Sequence, residues 1–84
     1  MTSECIECGA PATDTHHLIY GSGRRELSDR YGLTVRLCHR CHMRLHSSAG
    51  AEMARRYRQL GETMFLLQGH SVEEFVEIFG KNYL

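Results

Sequence analysis

All four cysteines and five of the six histidines of this 84-residue chain fall before residue 47, spaced as metal ligands are. Cys5-Ile6-Glu7-Cys8 and Cys38-His39-Arg40-Cys41 are both Cys-x-x-Cys turns. One such turn presents two thiolates to an ion without strain, and two turns complete the tetrahedral shell of a structural zinc. Residues 9–37 lie between the turns, so a folded insert has to bridge them. Redox-active pairs or buried free thiols are the alternative reading. Two pairs are hard to explain as redox centres, and neither opens a helix in a βαβ pattern.

The histidines carry the reactive chemistry. His16 and His17 are neighbours at the end of a predicted strand, where successive side chains point to opposite faces, so they should have different tasks. His42 follows Cys41 directly and His46 lies four residues on, which places both on one face of a helix. His42, His46 and one of the His16–His17 pair can therefore build a metal site with three protein ligands and an open position, as a catalytic metal requires. The remaining histidine would be free to act as a base. A chance helix-surface pair is one rival, and Cys38 and Cys41 sharing a single zinc with His42 or His46 is another. His39 is expected to face solvent from within the second turn, and His70 to lie on the surface.

The elements that must position these groups follow from pattern. Residues 13–20 read as a short strand, broken by Gly21, Ser22 and Gly23. A helix from Arg24 to Tyr31 stops at Gly32. Leu33 to Leu37 alternate apolar and polar residues, as a second strand does. A helix should begin close to Cys41. Over residues 51–68, Met53, Tyr57, Leu60, Met64 and Leu67 recur at helical steps, with Gly61 weakening the middle by about 1 kcal/mol. Ser71-Val72-Glu73-Glu74 is a capping box that starts a last helix, with Val72, Phe75, Val76 and Phe79 on one face and Gly80 at its end. The C-terminal stripes are expected to pack on each other and on the zinc unit, or to form a dimer or partner surface.

Composition bounds the remainder. The chain is one domain, 42% hydrophobic, with 10 Lys+Arg balancing 10 Asp+Glu. That balance argues against a polybasic nucleic-acid coat protein and against an acidic decoy. A core in a chain this short supplies roughly 3–5 kcal/mol. Zinc binding is worth about 10–16 kcal/mol of folding free energy in small modules, so the metal-free chain should be largely unfolded. No stretch approaches the roughly 20 apolar residues that span a bilayer. Met-Thr-Ser-Glu has neither the charge nor the apolar run of a signal peptide. The expectation is a cytoplasmic protein without a membrane partner.

Cys-x-x-Cys, then His-His after a strand, then Leu-Cys-x-x-Cys-His-x-x-x-His resembles the HNH (His-Me finger) endonucleases. His-His-Leu-Ile-Tyr-Gly, Leu-Ser-Asp-Arg-Tyr-Gly-Leu and the ending Phe-Gly-Lys-Asn-Tyr-Leu resemble the small members encoded by phages and prophages. The resemblance implies an α+β fold: a treble-clef-like, zinc-bound ββα-metal core over residues 5–46 with a helical extension over 47–84. It implies hydrolysis of DNA phosphodiesters in a bacterial host, with His17 as general base. It also implies a catalytic divalent metal (Zn2+, Ni2+, Mn2+ or Mg2+) on His16, His42 and His46. Two departures stand out. Gly32-Leu33-Thr34-Val35 lacks the Asn that usually braces the loop carrying the base, and the Pro common after the His pair is missing.

Every basic residue in the first fifty is arginine, the better bidentate partner for phosphate. Arg24 and Arg25, beside the loop after the His pair, are the candidate phosphate contacts. A non-catalytic zinc finger of phage origin that binds DNA or a protein is the alternative function. A nickase or packaging accessory acting beside other phage proteins, as monomer or homodimer, is a third.

Overall fold

The computed structural model describes residues 3–21 and 23–84; Ser22, read as part of the break after the first strand, lies outside them. The elements run β1 (Asp14–His17), α1 (Arg24–Arg30), β2 (Thr34–Leu37), α2 (His39–Leu45), a 3-10 turn (Ser48–Gly50), α3 (Ala51–Leu67) and α4 (Val72–Phe79). The architecture is a small α+β fold, a two-stranded sheet with helices. No helix among the described residues is long and apolar enough to cross a membrane.

β1 and β2 pair antiparallel, with Asp14 opposite Leu37 and His17 opposite Thr34. The first strand is shorter than the pattern over 13–20 suggests. The Leu18 amide still donates across to the Leu33 carbonyl at 2.9 Å, but Ile19 leaves the ladder; both side chains are fully buried, and the Ser28 hydroxyl clamps Ile19 by donating to its carbonyl at 2.5 Å and accepting from its amide at 3.2 Å. α1 is thereby pinned against the end of β1. It ends at Arg30, with Tyr31 as cap and Gly32 in the left-handed region at φ +69°.

The first cysteine turn lies against β2: the Ile6 amide donates to the Arg36 carbonyl at 3.1 Å. α2 starts at His39, earlier than expected, because Cys38 is extended and its sulfur accepts from the Cys41 amide at 3.5 Å. The second cysteine turn is therefore the first turn of the helix that carries His42 and His46.

α3 buries Met53 and Tyr57 as its periodicity suggests, and departs from the expected stripe after them. Met53, Ala54, Tyr57, Gly61, Glu62 and Phe65 face inward, whereas Leu60 and Leu67 are exposed and Met64 is half-buried. Gly61 is the cause. A Cβ there would stand 2.9 Å from Leu18 Cβ and 3.1 Å from Ile19 Cδ1, so the missing side chain lets α3 press onto the segment after β1. α4 carries the expected capping box at Ser71 and Glu74 and ends at Gly80. It buries Phe75 and Phe79 but leaves Val72 and Val76 more than a third exposed. Phe65, Phe75 and Phe79 form an aromatic cluster, their ring centroids 4.6–5.7 Å apart. His70 is no plain surface residue: it stacks on Phe65 at 4.1 Å and pairs with Glu74 at 3.1 Å.

Candidate active site

Cys5, Cys8, Cys38 and Cys41 converge, their sulfurs all within 4.8 Å of one another. Sulfurs bound tetrahedrally at about 2.3 Å from zinc stand roughly 3.8 Å apart. Cys8 Sγ and Cys38 Sγ are 3.7 Å apart. Burial works against ionising Cys5, yet the backbone amides of Cys38, Cys8 and Glu7 aimed at its sulfur outweigh that and lower its pKa to about 6. Cys41 moves the other way, to about 12, through burial and then the surrounding thiols. Four thiols so crowded ionise together only around a cation. The cluster can bind a structural metal such as zinc.

His16, His42 and His46 form a second cluster, with one ring nitrogen from each within 4.8 Å of the others. β1 supplies the first, α2 the second, and the residue capping α2 the third. His16 is 2% exposed, and its Nε2 is buried with no hydrogen-bond partner among the described residues. An unpartnered buried nitrogen is costly unless something binds it. Burial, then the neighbouring His42 and His46, lowers the His16 pKa to about 4. Burial, then His42 and Arg25, also depresses His46. Neutral imidazole is the form that binds metal.

His42 is fixed by a residue that no metal-ligand motif includes. Its Nδ1 donates to Asp14 Oδ2 at 2.9 Å, which leaves Nε2 for an ion. Carboxylate–histidine pairs of this kind orient ligands at metal sites. His39 Nδ1 donates to the same oxygen at 3.1 Å, so His39, although largely exposed, is tied down too. These bonds, that from His42 foremost, hold the Asp14 carboxyl at about 2. Asp14 sits two residues before His16, on the same face of β1, and that i, i+2 relation was its one signal in the sequence.

His17 takes the other face. Its Nε2 lies 2.9 Å from Asp29 Oδ1 on α1. With Nε2 donating to the carboxylate, Nδ1 keeps its lone pair. His17, His16, His42 and His46, with Thr15, Tyr20 and Arg25, line one open cleft of about 210 Å3. Arg24 is not among the lining residues: its Nε donates to the Phe79 carbonyl at 2.9 Å and ties α1 to the end of α4. Asp29 and Tyr20 lie inside the strings that carry the family resemblance but have no role attached to them there, and Arg58, whose guanidinium lies 4.6 Å over the Tyr20 ring, had no local signal.

Residues 1–69 match the family model described as a protein of unknown function, DUF968. No curated protein and no solved structure matches the chain.

Proposed function

This chain belongs to the DUF968 family of proteins of unknown function, and we propose from its own residues that it is a metal-dependent HNH-type endonuclease hydrolysing DNA phosphodiesters. One observation carries the reading. The carboxylate-held base candidate, His17 on Asp29, lines the same open cleft as the three convergent ligand candidates His16, His42 and His46. On this reading β1, β2 and α2 form the ββα-metal core of a His-Me finger, and the four cysteines hold the zinc of its treble-clef-like frame.

His16, His42 and His46 would hold a divalent ion (Zn2+, Ni2+, Mn2+ or Mg2+), which when bound would offer positive charge for the phosphate and the departing oxygen. Asp29 holds His17 in the tautomer that leaves Nδ1 unprotonated, so His17 removes a proton from the attacking water. Proton transfer to a positioned imidazole is the commonest form of general-base catalysis. Asp14 aims His42 Nε2 into the cleft, and Arg25 contributes a cation at its wall. The brace that Asn usually provides has a substitute in Ser28, whose hydroxyl bonds both polar backbone groups of Ile19, two residues after the base.

The test is nicking of supercoiled plasmid by the zinc-loaded protein with each divalent metal supplied. His17→Ala should lower the rate by about 10²–10⁴-fold, the usual weight of a general base, with zinc content and circular dichroism unchanged. Nicking by His17→Ala at the parental rate removes His17 from the chemistry. One zinc per chain and no nicking with any metal favours the non-catalytic zinc-finger reading instead.

A further inference from the structure

Four of the nine arginines are already engaged by the protein. Arg24 donates to the Phe79 carbonyl, and Arg36 donates to Thr15 Oγ1 at 2.6 Å. On α3, Arg55 pairs with Glu52 at 2.9 Å and Arg56 with Glu7 at 3.2 Å. Among the described residues Arg25, Arg30, Arg40, Arg44 and Arg58 have neither a carboxylate within ion-pair distance nor a hydrogen-bond acceptor for the guanidinium, and Arg25 and Arg58 are set apart from the other three by where they lie. Both stand at the histidine cleft. Arg25 lines it. Arg58 holds its guanidinium carbon 4.6 Å over the ring of Tyr20, which also lines the cleft and lies 5.3 Å from the His46 ring and 5.5 Å from the His16 ring, centroid to centroid.

We propose that Arg25 and Arg58 together form a clamp for backbone phosphates of nucleic acid beside the histidine site, with Tyr20 as the platform that holds Arg58. The chemistry is that of a diester anion. A guanidinium presents a planar fork of donors that matches two phosphate oxygens. Stacking on an aromatic face occupies the flat of that fork and leaves its N–H edge free to donate. An arginine so placed is also pre-organised, since the ring restricts a side chain that otherwise loses considerable rotamer freedom on binding. Arg58 comes from α3, outside the segment that carries the cysteines and the cleft histidines. The helical extension thus completes the cleft as well as covering the core.

The clamp rests on the reading of the cleft as a nucleic-acid site, so its test is binding and not cleavage. In zinc-loaded His17→Ala protein, affinity for a short fluorescein-labelled DNA duplex is followed by anisotropy between about 50 and 200 mM NaCl. Removing one arginine from a phosphate should lower the slope of log affinity against log salt by about 1. Arg58→Ala and Arg25→Ala should each show that shift, and the double variant about twice as much. Arg58→Lys, which keeps the point charge, should restore the slope. Arg55→Ala, on the same helix but paired with Glu52, should leave it unchanged. Arg58→Gln retains the stem over Tyr20 and serves where alanine unsettles the fold. An unchanged slope in Arg58→Ala or Arg58→Gln protein of parental zinc content and circular dichroism overturns the clamp. Slopes that fall as stated in a protein that never nicks plasmid keep the clamp and remove the endonuclease. Nicking with unmoved slopes does the reverse.

Discussion

Asp14 is the residue on which the histidine cluster turns. Its one oxygen accepts from both His42 and His39, and nothing else among the described residues fixes the His42 tautomer. Losing a partner of this kind costs about 10–100-fold in metal affinity. Asp14→Ala should therefore weaken Ni2+ or Zn2+ binding at the histidine site by that factor, measured by competition with a chromophoric chelator. Thiolate-to-cobalt absorption from the four-cysteine site should stay as it is; undiminished affinity at the histidine site would falsify the orienting role. His16 adds a pH signature. Its pKa is about 4 in the fold, against about 6.5 for a free imidazole. The folded state thus binds fewer protons than the unfolded chain between those values, so acid favours unfolding. With no metal on the histidines, stability should fall by about 3 kcal/mol as pH drops from about 6.5 to about 4, and the loss is complete below the lower value. His16→Phe should flatten that dependence in thermal melts of the zinc-loaded protein. Both proteins carry the same four thiols, so acid loss of zinc cancels in the difference. Parallel pH curves would show that burial of His16 does not govern its protonation.

At the level of elements, local spacing carried far, and long-range placement stayed hidden. The Cys-x-x-Cys-His-x-x-x-His run marks α2 and its two imidazoles because all of it lies within two helical turns. The His-His pair separates onto two faces as strand geometry demands, with His16 buried and His17 half-buried at the cleft. Asp29 reaches His17 only because Ser28 pins α1 to Ile19, and Arg58 reaches Tyr20 only because α3 lies against the segment after β1. No pattern within one element encodes either meeting. The same cause misplaced the second half of the α3 stripe, after Met53 and Tyr57, since periodicity finds apolar residues and cannot see that an absent side chain selects the buried face. Gly61→Ala tests this directly. Alanine is the better helix former by about 1 kcal/mol. Overpacking costs about 1–3 kcal/mol, and the added carbon would meet Leu18 Cβ at 2.9 Å. A net loss of about 1 kcal/mol is expected in urea unfolding. A stabilised Gly61→Ala would mean that α3 does not need this close approach.

For the whole molecule the question is whether the core or the metal keeps the chain folded. The two cysteine turns bracket the entire sheet and α1, so an ion on their sulfurs closes the long loop of residues 9–37 that the unfolded chain would otherwise leave open. The first turn is also tied to the helical half: Glu7 accepts from Tyr57 Oη at 2.6 Å and from Arg56 at 3.2 Å. α3 and α4 in turn share one apolar cluster with Leu18, Ile19, Leu33 and Leu37, so neither half has a core of its own. The structure should therefore unfold as one unit when the sulfurs lose their ion, because about 10–16 kcal/mol of metal-linked folding exceeds what a core this small provides. Stripping zinc with a strong chelator should abolish helical circular dichroism. It should also expand the chain from a radius of gyration of 12.8 Å toward the roughly 28 Å of an unfolded chain of this length, as small-angle scattering would record, and added Zn2+ should reverse both changes. His46→Ala, which removes a candidate ligand from the histidine cluster alone, should leave the radius and the spectrum unaltered at neutral pH. A chelated protein that keeps its spectrum and radius would show that Phe65, Phe75, Phe79 and the leucines hold the fold without the metal, and would reduce the four cysteines to a local clip.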